Sequence, residues 1–431
     1  MKRFFIPTVL GTLTLTALPA TAACVSALPA ITCSGASTGF TNNGTNTLNV
    51  TVEAGATVTR ATSDGIRIRG TGNTVTNYGT ISGTGALPDN GTDGIDGGAG
   101  LTVNNHGTIT ATNKGIDSEA LDNLTVLNTG TIHAYDKAIR NQNGKNGSLT
   151  NSGLIESDTD EGFESGDNVY VLNDVTGRII ASDDAIQVGE NAYIVNRGLV
   201  HSVLRGAADK DDPQDGIDID SGTVVNEATG VIKSDDDAAI DFDISSNQGF
   251  IDNYGLISGT IGVLADPDSP GAQHVRNWGT LEGRDGLAVD LGQGDDSLTI
   301  FGGSFVKGGG AFGSGNDLLV LSGDFLGQIG GFDAWFDGGE DTNTVQFATL
   351  AFEGLISAVF GAGDEVTLAF KTDVSNFSIN LRNWGMFNFA DRRAVTFADL
   401  KQELSPVPVP AAGLMLLAGL GALAGLRRRR A

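Results

Sequence analysis

Histidine is nearly missing from this chain, at 4 residues in 431. Cysteine supplies 2, methionine 3, tryptophan 3 and proline 10, and aromatic residues make up 6%. Basic residues are outnumbered by acidic ones, 26 to 52, for a formal charge of −26. Each shortage excludes a class. Two cysteines cannot staple a chain of this length as they do secreted miniproteins. Four scattered histidines argue against a His-rich metalloenzyme. Without clustered Lys and Arg the chain is no phosphate-neutralising nucleic-acid binder. No ten-residue stretch outside the two ends carries helical apolar spacing, so helices are not the building units. Glycine is in excess: 62 residues, about 14%, twice the usual share. It does not recur at every third position, which excludes collagen. Hydrophobic residues at 40% suffice to bury a core, which excludes wholesale disorder.

What is abundant is a repeat, Asn-x-Gly-x-aliphatic. It occurs at Asn77-Gly79-Ile81, Asn105-Gly107-Ile109, Asn128-Gly130-Ile132, Asn151-Gly153-Ile155, Asn196-Gly198-Val200, Asn253-Gly255-Ile257 and Asn277-Gly279-Leu281. Two copies carry two extra residues, Asn173 to Gly177 and Asn226 to Gly230. An aliphatic residue sits two before each Asn, as in Val75, Val103 and Val126. Successive asparagines are 28, 23, 23, 22, 23, 30, 27 and 24 residues apart. Between them recurs a second phrase, Asp-Gly/Ala-Ile or close to it: Asp64-Gly65-Ile66, Asp93-Gly94-Ile95, Asp184-Ala185-Ile186 and Asp215-Gly216-Ile217.

A period of 20–50 residues means a solenoid, propeller or array. Units near 23 residues are too short for a propeller blade and suit one coil of a parallel β-helix. The reading predicts Val and Ile stacked inward, a ladder of Asn amides, and Gly with φ > 0 at a corner. The predicted fold is therefore all-β: a parallel β-helix (β-solenoid) of roughly ten or more coils, with an N-terminal signal helix and a C-terminal transmembrane helix. The repeats resemble the passenger regions of surface adhesins and autotransporters.

Both ends read as addresses. Met1-Lys2-Arg3, an apolar run from Phe4 to Leu18 and Ala20-Thr21-Ala22 form a secretory signal with cleavage after Ala22. Cys24 lies close to that point, but the Leu expected of a lipoprotein three positions back is absent. Export to an oxidising compartment predicts a Cys24–Cys33 disulfide. At the other end Pro406-Val407-Pro408-Val409-Pro410 precedes sixteen uncharged residues, 411–426, and Arg427 to Arg430. Sixteen helical residues span about 24 Å, marginal for a ~30 Å hydrocarbon core, and four arginines hold such a tail on the cytoplasmic side. Val407, Pro408, Val409, Pro410 and Ala411, with the apolar span and Arg cluster, resemble the VPLPA-CTERM signal, a variant of the PEP-CTERM tail of Gram-negative bacteria; Val409 replaces the usual Leu. The resemblance implies an exosortase-type transpeptidase as partner, a transient inner-membrane anchor, tail removal, and delivery to the cell surface or extracellular matrix; the signal peptide implies the Sec export machinery. Removing both ends leaves 20 basic against 52 acidic residues, a formal −32.

Acidic residues cluster at one place in successive units: Asp158-Asp160-Glu161, Asp183-Asp184, Asp209 to Asp220, and Asp235 to Asp243. Two readings stay open there, Ca²⁺ sites or solvated turn aspartates. After residue 290, Leu291-Gly292-Gln293-Gly294-Asp295-Asp296-Ser297-Leu298 and Phe312-Gly313-Ser314-Gly315-Asn316-Asp317-Leu318-Leu319 resemble the RTX calcium-binding nonapeptide, with a looser copy at 337–345 that includes Asp341. In that family nonapeptides stack directly; here they lie a full unit apart. The resemblance implies Ca²⁺ as cofactor, with Gly294, Asp295, Asp296, Gly315, Asn316, Asp317 and Asp341 as its site. Gly-Asp turns without an ion are the alternative.

The expected domain order is signal peptide 1–22, N-terminal cap 23–47, solenoid 48–290, RTX-like coils 291–345, last coils and cap 346–400, linker 401–410 and sorting signal 407–431. No catalytic residue is expected. The histidines lie in separate units without a nucleophile motif, and no phosphate loop is present. The expected role is structural or adhesive, with extracellular polysaccharide or neighbouring cells as partners. The rival is a polysaccharide lyase or hydrolase using Asp215, Asp218, Asp220 and Arg205, by analogy with other parallel β-helices.

Overall fold

A computed structural model describes residues 23–87, 91–118, 121–205, 213–323, 332–371 and 376–404. The predicted signal segment, Asp209 to Asp212 and the sorting signal with its apolar span lie outside the described residues. Among those described, no helix is long and apolar enough to cross a membrane. The described chain forms two compact units, 23–166 with 177–181, and 167–176 with 182–404.

Both units are parallel β-solenoids. In the first, a coil is three short strands: Ile95–Gly97, Thr102–Asn105 and Thr108–Ala111, followed by Ile116–Asp117, Thr125–Asn128 and Thr131–Ala134. Each strand lies parallel on its counterpart one coil away. Val103 sits on Val75 on one side and Val126 on the other; Ile109 sits between Ile81 and Ile132. The alternation of strand side chains explains why Val75, Val103, Val126 and Leu149 are buried while their strand neighbours, such as Thr74, Thr76, Thr102, Thr125 and Thr150, face outward. Each inward aliphatic stabilises the coil by about 1.5–3 kcal/mol, so the files of Val and Ile are the main hydrophobic content.

The Asn ladder forms as predicted. Asn77 Nδ2 donates to Asn105 Oδ1 at 2.8 Å, Asn105 to Asn128 at 2.8 Å, and Asn128 to Asn151 at 2.9 Å. Each Nδ2 also donates to a carbonyl of the following coil, as Asn77 does to Thr108 at 3.1 Å. On the other side of the amide, Asn77 Oδ1 accepts the Gly79 N–H at 3.1 Å. These asparagines are fully buried, with both donor and acceptor used.

The glycine of the phrase is needed for a different reason than the one predicted. Gly79, Gly107, Gly130 and Gly153 do not have positive φ. They are the points of closest approach between coils: a Cβ on Gly130 would lie 2.0 Å from the Gly107 carbonyl oxygen, and one on Gly107 2.1 Å from that of Gly79. Stacked corners at one-strand spacing leave no room for a methyl group.

The second unit repeats the scheme. Ala192–Asn196, Gly222–Asn226, Gly249–Asn253 and Gln273–Asn277 stack in parallel. Their core file runs Val171, Ile194, Val224, Ile251, Val275, Leu298, Leu319, Val345 and Phe387. The Asn ladder runs from Asn173 to Asn277 in steps of 2.9, 2.9, 2.9 and 2.7 Å. It stops there because Ile300 occupies the next position.

Both ends of the described chain are closed. Ala23–Ala27 and Ala30–Ser34 form an antiparallel hairpin in which Cys24 faces Cys33, and the two are disulfide-bonded. Parallel stacking starts inside this predicted cap, because Ala30–Ser34 already pairs with Asn49–Val52. At the other end Leu355–Phe360, Glu365–Lys371 and Asn376–Arg382 form an antiparallel meander. Its Phe370 meets Phe347 and Phe389 in the core, and its Phe377 packs on Phe370 and Phe332. Residues 401–404, expected as linker, are the last turn of the helix Phe397–Leu404. Thr396 and Asp399 cap that helix reciprocally, and Leu400 anchors it.

Gly130→Ala is expected to cost at least about 2 kcal/mol, by steric collision with a fixed carbonyl. Asn128→Ala strips partners from two buried amides and is expected to cost about 1–3 kcal/mol for each group left unpaired. Thr150→Ala, on the outward face, is expected to stay within about 0.5 kcal/mol. Urea unfolding of the three variants measures the order.

Candidate functional site

Three sets of side chains recur from coil to coil outside the core: corner aspartates, a Gly/Asp corner after residue 290, and outward aromatics. The corner aspartates come from the second repeat phrase. In the first unit Asp64 Oδ1 accepts the Asp93 N–H at 3.1 Å, and Asp93 Oδ1 accepts the Lys114 N–H at 3.0 Å. In the second, Asp184 Oδ1 accepts the Asp215 N–H and Asp215 Oδ1 the Ala238 N–H, each at 2.7 Å. The phrase thus places a carboxylate where it satisfies the backbone N–H of its own counterpart one coil on.

In the first unit the oxygens of Asp64, Asp93 and Asp96 converge within 4.8 Å, a triad that sequence reasoning missed. Arg67 Nε holds Asp64 at 2.6 Å and Asp96 at 3.0 Å, and Arg69 holds Asp96 at 2.6 Å. Two guanidiniums already hold Asp64 and Asp96, and Asp93 Oδ1 is taken by Asn113 and the Lys114 N–H, which does not fit a cation site. Burial pushes Asp93 up to about 7. The signal was in the sequence, since Arg67 and Arg69 alternate with the core residues Ile66 and Ile68.

In the second unit Asp184, Asp215, Asp218, Asp220 and Asp241 gather, and no ion pair with a Lys or Arg joins these five among the described residues. Asp218 stacks on Asp241 one coil away, and Asp218 Oδ2 accepts from Gln187 Nε2 at 3.1 Å. Burial first, and neighbouring carboxylates second, raise Asp215 to about 10, Asp218 to about 8, Asp241 to about 7 and Asp220 to about 6. Asp184 is also raised, by burial and then by Asp218 and Asp215. Of the residues assigned to the enzyme alternative, Asp215 is a backbone-holding corner residue, Asp218 and Asp220 belong to the acidic gathering, and Arg205 is exposed in the segment after Leu199–Ser202.

The RTX-like copies stack at one corner, one coil apart. Gly292, Gly313 and Gly339 have φ of 76°, 80° and 74°, and Gly294, Gly315 and Asp341 have φ of 120°, 139° and 64°. Here positive φ does explain the glycines. Asp296 Oδ1 accepts the Gln273 N–H at 2.6 Å, Asp317 Oδ1 the Asp296 N–H at 2.9 Å, and Asn343 Oδ1 the Asp317 N–H at 2.9 Å. The ladder's third member is therefore Asn343, two residues before Val345 just as Asp317 stands two before Leu319. Asp341, assigned to the site, instead fills the left-handed position of Gly294 and Gly315 and is exposed. Asp295 Oδ1 accepts the Asn316 N–H at 2.8 Å. The second oxygens of Asp296 and Asp317 are buried without a hydrogen-bond partner among the described residues. Burial raises these carboxyls to about 8 and about 7. Two orphaned oxygens fit a cation, although no three carboxylates converge at this corner among the described residues.

The outer face of the Asn strands in the second unit carries aromatics. One column runs Tyr170, Tyr193, Thr223, Phe250, His274. Tyr170 and Tyr193 stack at 6.1 Å with planes 6° apart, and Phe250 lies 5.1 Å from His274. A neighbouring column stacks Tyr254, Trp278 and Phe301 at 4.6 and 4.1 Å, with Arg276 5.8 Å from the Trp278 ring. These aromatics precede the core aliphatic or follow the ladder position (Asn253, Asn277 and Ile300), so aligning the repeats would have revealed them.

No protein-family model, curated protein or solved structure matches this chain. The fold defines its class, a parallel β-solenoid, and that class contains both enzymes and structural proteins.

The raised aspartates of the second unit set a pH dependence. An Asp titrating near 3.9 when unfolded and at about 7 to 10 when folded keeps its proton longer in the folded state. Its folded-state advantage is full in acid and falls as pH rises from about 4 through those folded values. Calorimetry is expected to find a higher Tm at pH 5 than at pH 9. Asp215→Asn, which keeps the acceptor for the Ala238 N–H, is expected to raise the pH 9 Tm by a few degrees and flatten the slope.

Proposed function

We propose that this chain is an exported bacterial surface or matrix protein with a structural and adhesive role. The observation that carries the role is the division of labour within each coil. Inward positions and corners are occupied by residues that hold the stack together, while the outward positions carry exposed rings and charges available to a partner. Export is supported by the basic, apolar and small-residue segments of 1–22 and by a disulfide that suits an oxidising compartment. Sorting is supported by the Pro-containing motif, apolar span and Arg cluster of 407–431.

Mass spectrometry of the protein recovered from its own host tests this reading. The expected product starts at Ala23 and lacks the Arg-rich tail. Pro408→Ala with Pro410→Ala is expected to leave the tail attached, and unaltered trimming would overturn the sorting reading.

Calcium stabilisation rests on the orphaned Asp296 and Asp317 oxygens. A bound Ca²⁺ would offset their charge where protonation otherwise does. Excess Ca²⁺ at pH 8 is expected to raise Tm by several degrees over chelator-treated protein, and Asp317→Asn to remove most of that rise. An unchanged Tm would remove calcium from the account.

A polysaccharide-cleaving reading draws on Asp220, raised to about 6 in the range of a general acid, beside Asp218. Release of reducing ends or unsaturated products from a polysaccharide, lost in Asp220→Asn, would favour it.

A further inference from the structure

The aromatic column of the second unit has one missing ring. Tyr193, Thr223 and Phe250 occupy the same strand position in three successive coils. Coils stack about 4.8 Å apart, so the two rings stand about 9.6 Å from each other. That separation exceeds two carbon–carbon contacts of about 3.5–4 Å each, which leaves room for a puckered ring thicker than a flat aromatic one. Each flanking ring already has one face covered, Tyr193 by Tyr170 and Phe250 by His274. Both rings and Thr223 line one open groove, so the other side of each ring borders the gap left by Thr223. In the neighbouring column, by contrast, the Tyr254, Trp278 and Phe301 rings cover one another's faces.

The slot opens into a groove of about 490 Å³. Its polar rim is Asn191, Ser246, Asn247 and Gln248, all exposed. No hydrogen bond joins these four side chains, or that of Thr223, to another group among the described residues. Five uncommitted amide and hydroxyl groups therefore surround two uncommitted ring faces.

We infer that this groove binds one neutral pyranose unit of a polysaccharide, sandwiched between Tyr193 and Phe250 over Thr223. A pyranose is flat enough for the slot, with C–H bonds for the two rings and hydroxyls at its edge for the amides. An inserted aromatic side chain would leave the amide rim unused. A nucleobase would bring phosphates to a chain of formal charge −26. Glu190, whose carboxylate lies 3.4 Å from the Ser245 hydroxyl, and Asp220 and Asp243 give the surroundings the same sign, which repels uronate polymers. The inference deepens the adhesive reading by naming its ligand class and rests on it only for biological setting.

Calorimetric titration of the purified full chain with cellohexaose, laminarihexaose, maltohexaose and N-acetylchitohexaose tests it, with hexagalacturonate as the acidic comparator. At least one neutral probe is expected to bind, and hexagalacturonate to bind at least tenfold more weakly. Tyr193→Ala and Phe250→Ala are each expected to weaken binding tenfold or more. Thr223→Tyr completes the column and closes the slot; it is expected to abolish binding while keeping the wild-type Tm. Failure of all four neutral probes, equal binding of hexagalacturonate, or wild-type affinity in folded Thr223→Tyr would each overturn the inference. None of these results bears on tail removal, so the sorting reading stands or falls separately.

Discussion

In a stacked coil each side chain meets its own counterpart about 4.8 Å away, so a polar group at a buried corner must bond either to a copy of itself or to the backbone of the next coil. Asparagine meets this condition. Its amide carries a donor on one side and an acceptor on the other, and the chains from Asn77 to Asn151 and from Asn173 to Asn277 use both at every step. An ionised aspartate carries acceptors alone and cannot bond to another aspartate. The corner aspartates therefore turn to the backbone N–H of the next coil instead, as Asp184 does with Asp215. Charge then accumulates along the corner, and the buried carboxyls are pushed toward their neutral form. Self-complementarity of one side chain and its lack in another account for the main electrostatic contrast within the fold.

The same close stacking explains the glycines, in two ways. Behind Asn77, Asn105, Asn128, Asn151, Asn253 and Asn277 the backbone passes so near the adjacent coil that a Cβ would collide with a carbonyl oxygen. After Asn277 the ladder ends against Ile300, and at the opposite end of the same strand the corner becomes Gly-x-Gly-x-Asp, where positive φ is the requirement. Asp341 tolerates φ of 64° at the place of Gly315, as short polar residues do more readily than others. Beyond that point Phe and Trp replace Val and Ile in the core, and the antiparallel meander covers the last coil with rings.

Along the Asn-ladder coils the inward positions keep to aliphatics and the ladder corner to Asn, so the outward face varies most from coil to coil. There the second unit places rings in files, and a file lacks a ring at Thr223. A vacancy in a periodic array is a recognition element that no single coil contains. It exists only through the alignment of three coils, with its polar rim supplied by the loops that precede two of the strands.

The coil length, the Val and Ile files, the Asn ladder and the disulfide pair were legible in the order of residues, because a strict period makes each unit predict its neighbours. The capping helix was written as Thr396 and Asp399, a local signal lost against a background of strands. Other features required the fold. Three strands per coil, the collision that demands Gly130, Asn343 in place of Asp341, the guanidiniums inside the Asp64 triad and the open faces of Tyr193 and Phe250 all depend on contacts between residues about 20 to 60 positions apart. The sequence by itself determined that the chain stacks, since periodicity is a property of one dimension. Tertiary structure alone decided what each stacked side chain touches, because distance, burial and charge are set by neighbours a coil away.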